Sequence, residues 1–319
     1  MNNNGQTIVG KNTRKLMFGI LLISAQCVFW HAPRVHAADK IIAWGDLNYT
    51  VSPIAAHHKN ACVTQIAAGS FHSLTLKNDG AVTAWGDNHF GQTNIPPAVN
   101  HRTAVAIAAG NVHNLALLRD GTVIAWGPAA GAYGDFGQTR VPAGLRNVAA
   151  IAAGALHSLA LKRDGTVVAW GEDADGQCEV PSGLKNVVAV AGGSHHSLAL
   201  QDNGRVVAWG DDSWGQTEVP EGLKNVVAIA ACGLHSLALK SDGTVVSWGT
   251  YGLAHFPVPA GLNNVVAIAT GDYHSIALKR DGTVVTWGFN NAGQLHAPAP
   301  LHDVAAIAAR GSHSMTLVQ

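Results

Sequence analysis

Histidines carry the most chemistry-bearing pattern in the chain. His72, His113, His157, His196, His235, His274 and His313 recur at separations of 41, 44, 39, 39, 39 and 39 residues. Neutral imidazoles hold zinc when three or four converge within about 2.1 Å of one ion. One histidine per unit spreads the seven apart, so the expectation is hydrogen bonding to neighbouring backbone, with no metal. Glu172-Asp173-Ala174-Asp175-Gly176 has the spacing of an acidic calcium loop, yet Leu184 stands where the closing Glu is required. That stretch reads as a solvated loop. No HExxH, GxSxG or phosphate-loop motif occurs. No catalytic residue is therefore assigned, and no cofactor is expected. Cys62, Cys178 and Cys232 occupy unrelated repeat positions without a CxxC spacing, which argues against a disulfide framework or a metal knuckle.

The elements that must position these residues are repeats. Trp-Gly begins at Trp44, Trp85, Trp126, Trp170, Trp209, Trp248 and Trp287, in step with the histidines. Like the histidines, these tryptophans are expected to be structural anchors, as apolar wedges at strand ends. The clearest copy runs from Asn186 through a Val/Ala run to Gly193, then His196-Ser197-Leu198-Ala199-Leu200. Asn203-Gly204 follows, then Arg205 to Gly210, and Gly215-Gln216-Thr217-Glu218-Val219-Pro220 ends it. Each unit reads as four short strands. The second and third are joined by a two-residue Asp-Gly or Asn-Gly hairpin turn with φ > 0. Proline in the fourth suits an outer edge, where a missing N–H costs no ladder bond. No segment sustains a 3.6-residue apolar period, so helix should be nearly absent.

Four-stranded units of this length predict an all-β, seven-bladed β-propeller. The ends favour a closed ring over a solenoid. Ile41-Ile42-Ala43-Trp44-Gly45 enters on a third strand, and His313 to Gln319 stops on a second, with six complete Asp-Gly-type turns between. The third and fourth strands from the start are expected to complete a blade with the first and second strands from the end.

The composition agrees. Of 319 residues 13% are charged and 36 are glycine, with 47% hydrophobic and a formal net charge of zero. Such a chain is neither disordered nor collagenous, and it lacks the basic surplus that nucleic-acid binding demands. Lys11, Arg14 and Lys15 precede an apolar stretch from Leu16 to Trp30, and Val35-His36-Ala37 follows without an acid in the first 37 residues. That is the pattern of a signal peptide cut after Ala37, too short to span a membrane. The expected domains are residues 1–37 as signal peptide and 38–319 as one propeller. The mature chain then has 16 basic and 20 acidic residues, a net of −4. It is expected to be secreted or periplasmic, monomeric, and without stable membrane insertion.

The run Ala-Ala-Gly-x-x-His-Ser-Leu-x-Leu, followed by Trp-Gly and Gly-Gln, resembles the repeat of the regulator of chromosome condensation family over essentially all of residues 40 to 319. The resemblance implies a seven-bladed propeller. Eukaryotic members promote nucleotide exchange on a nuclear GTPase, a role that a signal peptide and an acidic mature chain do not suit. The short unit with Gly-Gln-Thr-x-Val-Pro is still more similar to secreted bacterial propellers of the β-lactamase-inhibitor type. Their partner surface is built largely from aromatics in the turn between first and second strands. Here only Phe71 and Tyr273 are aromatic in those turns, and Cys232 and Arg310 replace the glycine that opens them.

Aromatics outside the repeat carry the functional reading. Phe71 and Tyr273 lie in turns between first and second strands. Tyr49, Phe90, Tyr133, Phe136, Trp214, Tyr251 and Phe289 lie in loops after the third strand, on that same rim, and only Phe256 falls elsewhere. Tyr49, Phe90 and Trp214 share one repeat position, which favours packing for those three. Phe71, Tyr133, Phe136, Trp214, Tyr251, Tyr273 and Phe289 make up the expected partner-binding rim, since aromatics on a rigid scaffold are common recognition anchors. The expectation is an exported, non-enzymatic scaffold for an extracytoplasmic protein or glycan, not nucleic acid. The alternatives are a secreted inhibitor of a hydrolase such as a β-lactamase, and an enzyme with its site in the central channel, for which Asp272 and His195 are the candidates.

Overall fold

The structure, a computed structural model, describes residues 40–46, 62–101, 103–250, 257–298 and 301–319. The expected signal peptide, Tyr49, Tyr251 and Phe256 lie outside the described residues. Among the described residues the strands form seven antiparallel sheets. They are numbered here as blades one to seven, beginning at Val63.

Blade four shows how the repeat folds. Its inner strand Val187–Gly192 pairs with the middle strand His196–Gln201, which pairs with the outer strand Val206–Gly210. β-branched Val and alternating Leu suit a pleated surface, and the Ala and Gly of the inner strand keep it slim. Slimness is required because inner strands approach one another within 8 Å around the whole ring, blade one against blade seven included. Blade seven joins Val304–Arg310 and His313–Val318 to Lys40–Gly45 from the other end of the chain. Lys40 stands opposite Val318 and Gly45 opposite His313, as the repeat phase requires.

Apolar burial lies between blades. Leu159 and Leu161 of blade three pack with Val187, Val190 and Trp209 of blade four. At the seam, Ile41, Met315 and Leu317 pack with Val63 and Ile66 of blade one. Burying one such side chain stabilises by about 1.5–3 kcal/mol, and here that gain exists only when the neighbour is present.

Two expectations need correction. Each sheet has three hydrogen-bonded strands among the described residues, not four. The Gly-Gln-Thr-x-Val-Pro segment makes short local bonds instead, such as Glu218 N–H to the Gly215 carbonyl and Val219 N–H to that of Thr217. Its proline lacks a donor, and its glutamine is turned inward. The hairpin turns are also longer than two residues. Lys162 N–H bonds the Thr166 carbonyl and Gly165 N–H that of Lys162, so Arg163, Asp164 and Gly165 form a three-residue loop. Only the glycine has φ > 0 (78°). Asp164 Oδ1 accepts the Thr166 N–H at 3.0 Å, which fixes the turn from its side chain. Helix is nearly absent, as expected: among the described residues the one helical turn is Pro97–Asn100, in the loop leaving blade one.

Candidate interaction rim

The same end of every sheet carries the turn between inner and middle strands and the loop after the outer strand. The two are tied together at their roots: Glu172 N–H bonds the Leu156 carbonyl, Asp211 N–H that of His195, and Phe289 N–H that of Tyr273. Behind this rim lies a buried polar belt made by the repeat residues.

Each repeat histidine reaches into the next blade. His113 Nε2 meets Ser158 Oγ at 3.1 Å, His157 meets Ser197 at 3.0 Å, His196 meets Ser236 at 3.0 Å, and His235 meets Ser275 at 3.0 Å. His72 uses Asn114 Oδ1 at 2.7 Å, and His274 uses Ser314 at 2.7 Å. His313 meets Ser73 of blade one at 3.4 Å and completes the circuit. Ser158, Ser197 and Ser236 donate their single hydroxyl proton to the carbonyls of Gln138, Gln177 and Gln216. They must therefore accept from the imidazole, so the histidines are Nε2–H tautomers. Nδ1 of His72, His113, His157, His196, His274 and His313 is buried and makes no hydrogen bond. A proton there would have no acceptor. Burial accordingly holds His157, His196 and His274 down to about 3 and His72, His235 and His313 to about 4. With Nε2 engaged by a hydroxyl or amide, these rings are built for cohesion; among the described residues no three His, Cys, Asp or Glu side chains gather as metal ligands.

The same glutamine carbonyls accept the next blade's tryptophan. Nε1 of Trp126, Trp170, Trp209, Trp248 and Trp44 donates to Gln92, Gln138, Gln177, Gln216 and Gln294 at 2.9–3.0 Å. The tryptophans do wedge between blades, with a specific donor bond as well. Sequence reasoning passed over the glutamines, although Gly-Gln recurs in five loops. Their side chains are fully buried and turn back on the loop. Oε1 of Gln92, Gln138 and Gln216 accepts the N–H of Phe90, Phe136 and Trp214, each at 2.7–2.9 Å. A buried amide thus sets the backbone of each of these rim aromatics.

The expected rim residues separate into two groups. Phe71, Phe136 and Trp214 are 46%, 50% and 42% exposed, and Tyr133 is 91% exposed. Tyr273 and Phe289 instead meet edge to face, 6.1 Å between centroids, against the core joining blades five and six. Their proximity to apolar neighbours was invisible in the spacing. Phe90 lies 6.2 Å from Tyr133 and braces the long loop of blade two. Tyr251 lies outside the described residues.

At the axis, the two departures from the opening glycine have different fates. Arg310 is 1% exposed and crosses to other blades, Nε donating to Asn111 Oδ1 at 3.2 Å and Nη1 to the Ala153 carbonyl at 3.1 Å. Its Nη2 is buried without a hydrogen bond. Cys232 Sγ donates to Asp272 Oδ1 at 3.1 Å, and burial pushes the thiol pKa far up. His195 turns outward instead, with Nδ1 3.0 Å from Asp175 Oδ2 and 3.9 Å from Glu172 Oε2 of blade three. Asp272 and His195 thus serve different neighbours, the one a buried thiol and the other a carboxylate of blade three.

The regulator of chromosome condensation (RCC1) repeat matches residues 63–92, 104–138, 148–177, 187–216 and 265–294. These are blades one to four and six. Blade five lacks Gly-Gln after its tryptophan, and blade seven is split between the chain ends. No curated protein matches the chain. Among solved structures, Prp20p from Saccharomyces cerevisiae is similar at a TM-score of 0.72 and 20% identity, over 92% of this chain and 93% of that one. Human WBSCR16 aligns at 0.68 and 20% identity, over 88% and 99%. The ectodomain of the Arabidopsis thaliana receptor kinase ACR4 aligns at 0.60 and 20% identity, over 74% and 83%. With five of its seven blades matching the repeat and its fold shared with Prp20p over most of its length, the chain is a propeller of regulator of chromosome condensation repeats.

Proposed function

We propose that this chain is an exported, non-enzymatic scaffold that binds a protein through one aromatic rim. The observation that carries the reading is the exposure of Phe71, Tyr133, Phe136 and Trp214 on that rim. No large aromatic is exposed at the other rim among the described residues; the exposed valines there, Val105 and Val227, are small and isolated. Monomers seldom leave several large aromatics in water on one side unless a partner covers them. The loops that hold Tyr133, Phe136 and Trp214 are pinned by the buried Gln138 and Gln216, so little entropy is lost there when a partner docks. Export rests on the first 37 residues of the sequence. A protein partner fits the fold's use elsewhere, since Prp20p is described with its binding to Gsp1p and histones.

Pull-down from envelope and culture supernatant tests the reading. The wild-type chain should retain a partner that a Tyr133→Ala/Phe136→Ala variant loses, with an unchanged melting temperature. Equal capture by both proteins would refute the rim assignment.

A further inference from the structure

Charge is sorted between the two rims. Among the described residues, the aromatic rim carries the carboxylates of Glu172, Asp173 and Asp175 in blade three, Asp211 and Asp212 in blade four, and Asp272 in blade six, with no lysine. Its one exposed arginine, Arg140, is already paired with Asp135. The opposite rim holds Arg119, Arg163 and Arg280 in hairpin turns and Arg146, Lys185 and Lys224 in the loops that enter inner strands. Of the carboxylates there, Asp164, Asp242 and Asp281 bond their own turn and pair with Lys162, Lys240 and Lys279, whereas on the aromatic rim Asp173, Asp211 and Asp212 accept N–H groups of their own loops and Asp175 meets His195, with no lysine beside them. The net charge of the sequence hides this polarity.

The acidic loops and the exposed aromatics form one arc. Phe71 of blade one and Tyr133 and Phe136 of blade two lie at one end, the acids of blades three and four follow, and Trp214 closes the other end. Asp173, Asp175 and Asp212 are exposed. Glu172 Oε2 is shut off from solvent and accepts no hydrogen bond. Aromatic faces and carboxylates favour the same ligand charge: a guanidinium or ammonium gains from the ring quadrupole and from the acidic field.

Resting on the scaffold reading above, we infer that this arc receives a Lys/Arg-rich segment of the partner protein. The carboxylates steer and register the basic side chains, and the rings of Tyr133, Phe136 and Trp214 pack on their alkyl stems and cationic heads. A neutral or acidic protein surface, or a glycan without cationic groups, gains nothing from this field.

Fluorescence anisotropy with a labelled deca-lysine peptide and a deca-glutamate control, on the full chain, tests the inference. Deca-lysine should bind and weaken as salt rises, because exposed charges are screened within about 10 Å at 0.1 M. An Asp173→Asn/Asp175→Asn/Asp212→Asn variant should weaken binding by roughly tenfold or more. A variant that removes as much charge from the other rim, Asp79→Asn/Asp202→Asn/Glu221→Gln, should change it by less than about twofold. Tyr133→Ala/Phe136→Ala should weaken it as well. Equal losses in the two charge variants would reduce the effect to net charge and overturn the inference, as would absent deca-lysine binding or binding of deca-glutamate. If the pull-down above still yields a rim-dependent partner while deca-lysine fails, the charge inference falls and the scaffold reading stands.

Discussion

His196 shows what one repeat residue does. Its Nε2–H donates to Ser236, while its ring lies so close to the preceding turn that a Cβ on Gly193 would sit 2.1 Å from His196 Cε1. Gly193→Ala should therefore lower stability by roughly 3 kcal/mol or more through overpacking. Gly183→Ala, with no atom within 4 Å but φ at +77°, should cost only about 1 kcal/mol of backbone strain. Urea titration of the two variants would show this order, and the reverse order would contradict the packing described here. The buried imidazoles also impose a pH dependence. Unfolded histidine takes up a proton near pH 6.5, whereas the folded values are about 3 to 4. Between those limits the unfolded chain binds more protons, so stability is full above about 6.5 and falls as the pH drops. At pH 5 each such histidine withdraws about 2 kcal/mol. Urea midpoints at pH 7.5 and pH 5 should differ strongly; equal midpoints would show the rings to be solvated.

The loop after the outer strand is the element that joins cohesion between blades to the exposed aromatic rim. Gln216 supplies its carbonyl to Trp248 and Ser236 behind, and its Oε1 to the N–H of Trp214 in front. Its Nε2 also donates to Asp211. Gln216→Ala keeps the backbone carbonyl and removes only the forward bonds. It should cost about 1–3 kcal/mol and raise amide exchange at Trp214 far more than in the strands, as read by hydrogen–deuterium exchange. Uniform exchange across blade four would count against the loop-organising role. This element was also the hardest to read from sequence. Gly-Gln-Thr-x-Val-Pro looks like an edge strand by composition, and nothing local reveals that its carbonyl serves the next blade 32 residues away. The hairpin turns were misjudged for a related reason, because the Asp side chain replaces one backbone bond of a tighter turn. By contrast, inner and middle strands were legible, since their burial pattern repeats with the sequence. Of the seven expected rim residues, Tyr273 and Phe289 pack together across a distance that no repeat arithmetic supplies.

For the whole molecule, the decisive property is that the contacts of the repeat histidines, the repeat tryptophans and the apolar core run from one blade to the next. The apolar clusters, the histidine–serine contacts and the tryptophan–glutamine contacts all need two blades. Arg310 adds a tie from blade seven to blades two and three. Deleting residues 313–319 should therefore unfold the entire ring, abolishing the cooperative thermal transition in calorimetry. A truncated protein that melts at the original temperature would contradict a closed ring. Legibility at this scale was high: seven evenly spaced anchors and two complementary chain ends already implied closure. Arg310 was read only as a missing glycine, because its partners lie 157 and 199 residues away in sequence.

The seam holds a last consequence. Lys40 lies opposite Val318 as the residues flanking each hairpin loop lie opposite one another, so these two residues flank the place of the one absent turn. The starting point of the polypeptide is then arbitrary with respect to the ring. Joining Gln319 to Lys40 through an Asp-Gly loop and opening the chain between Asp164 and Gly165 would yield a circular permutant with every inter-blade contact in place and the aromatic rim untouched.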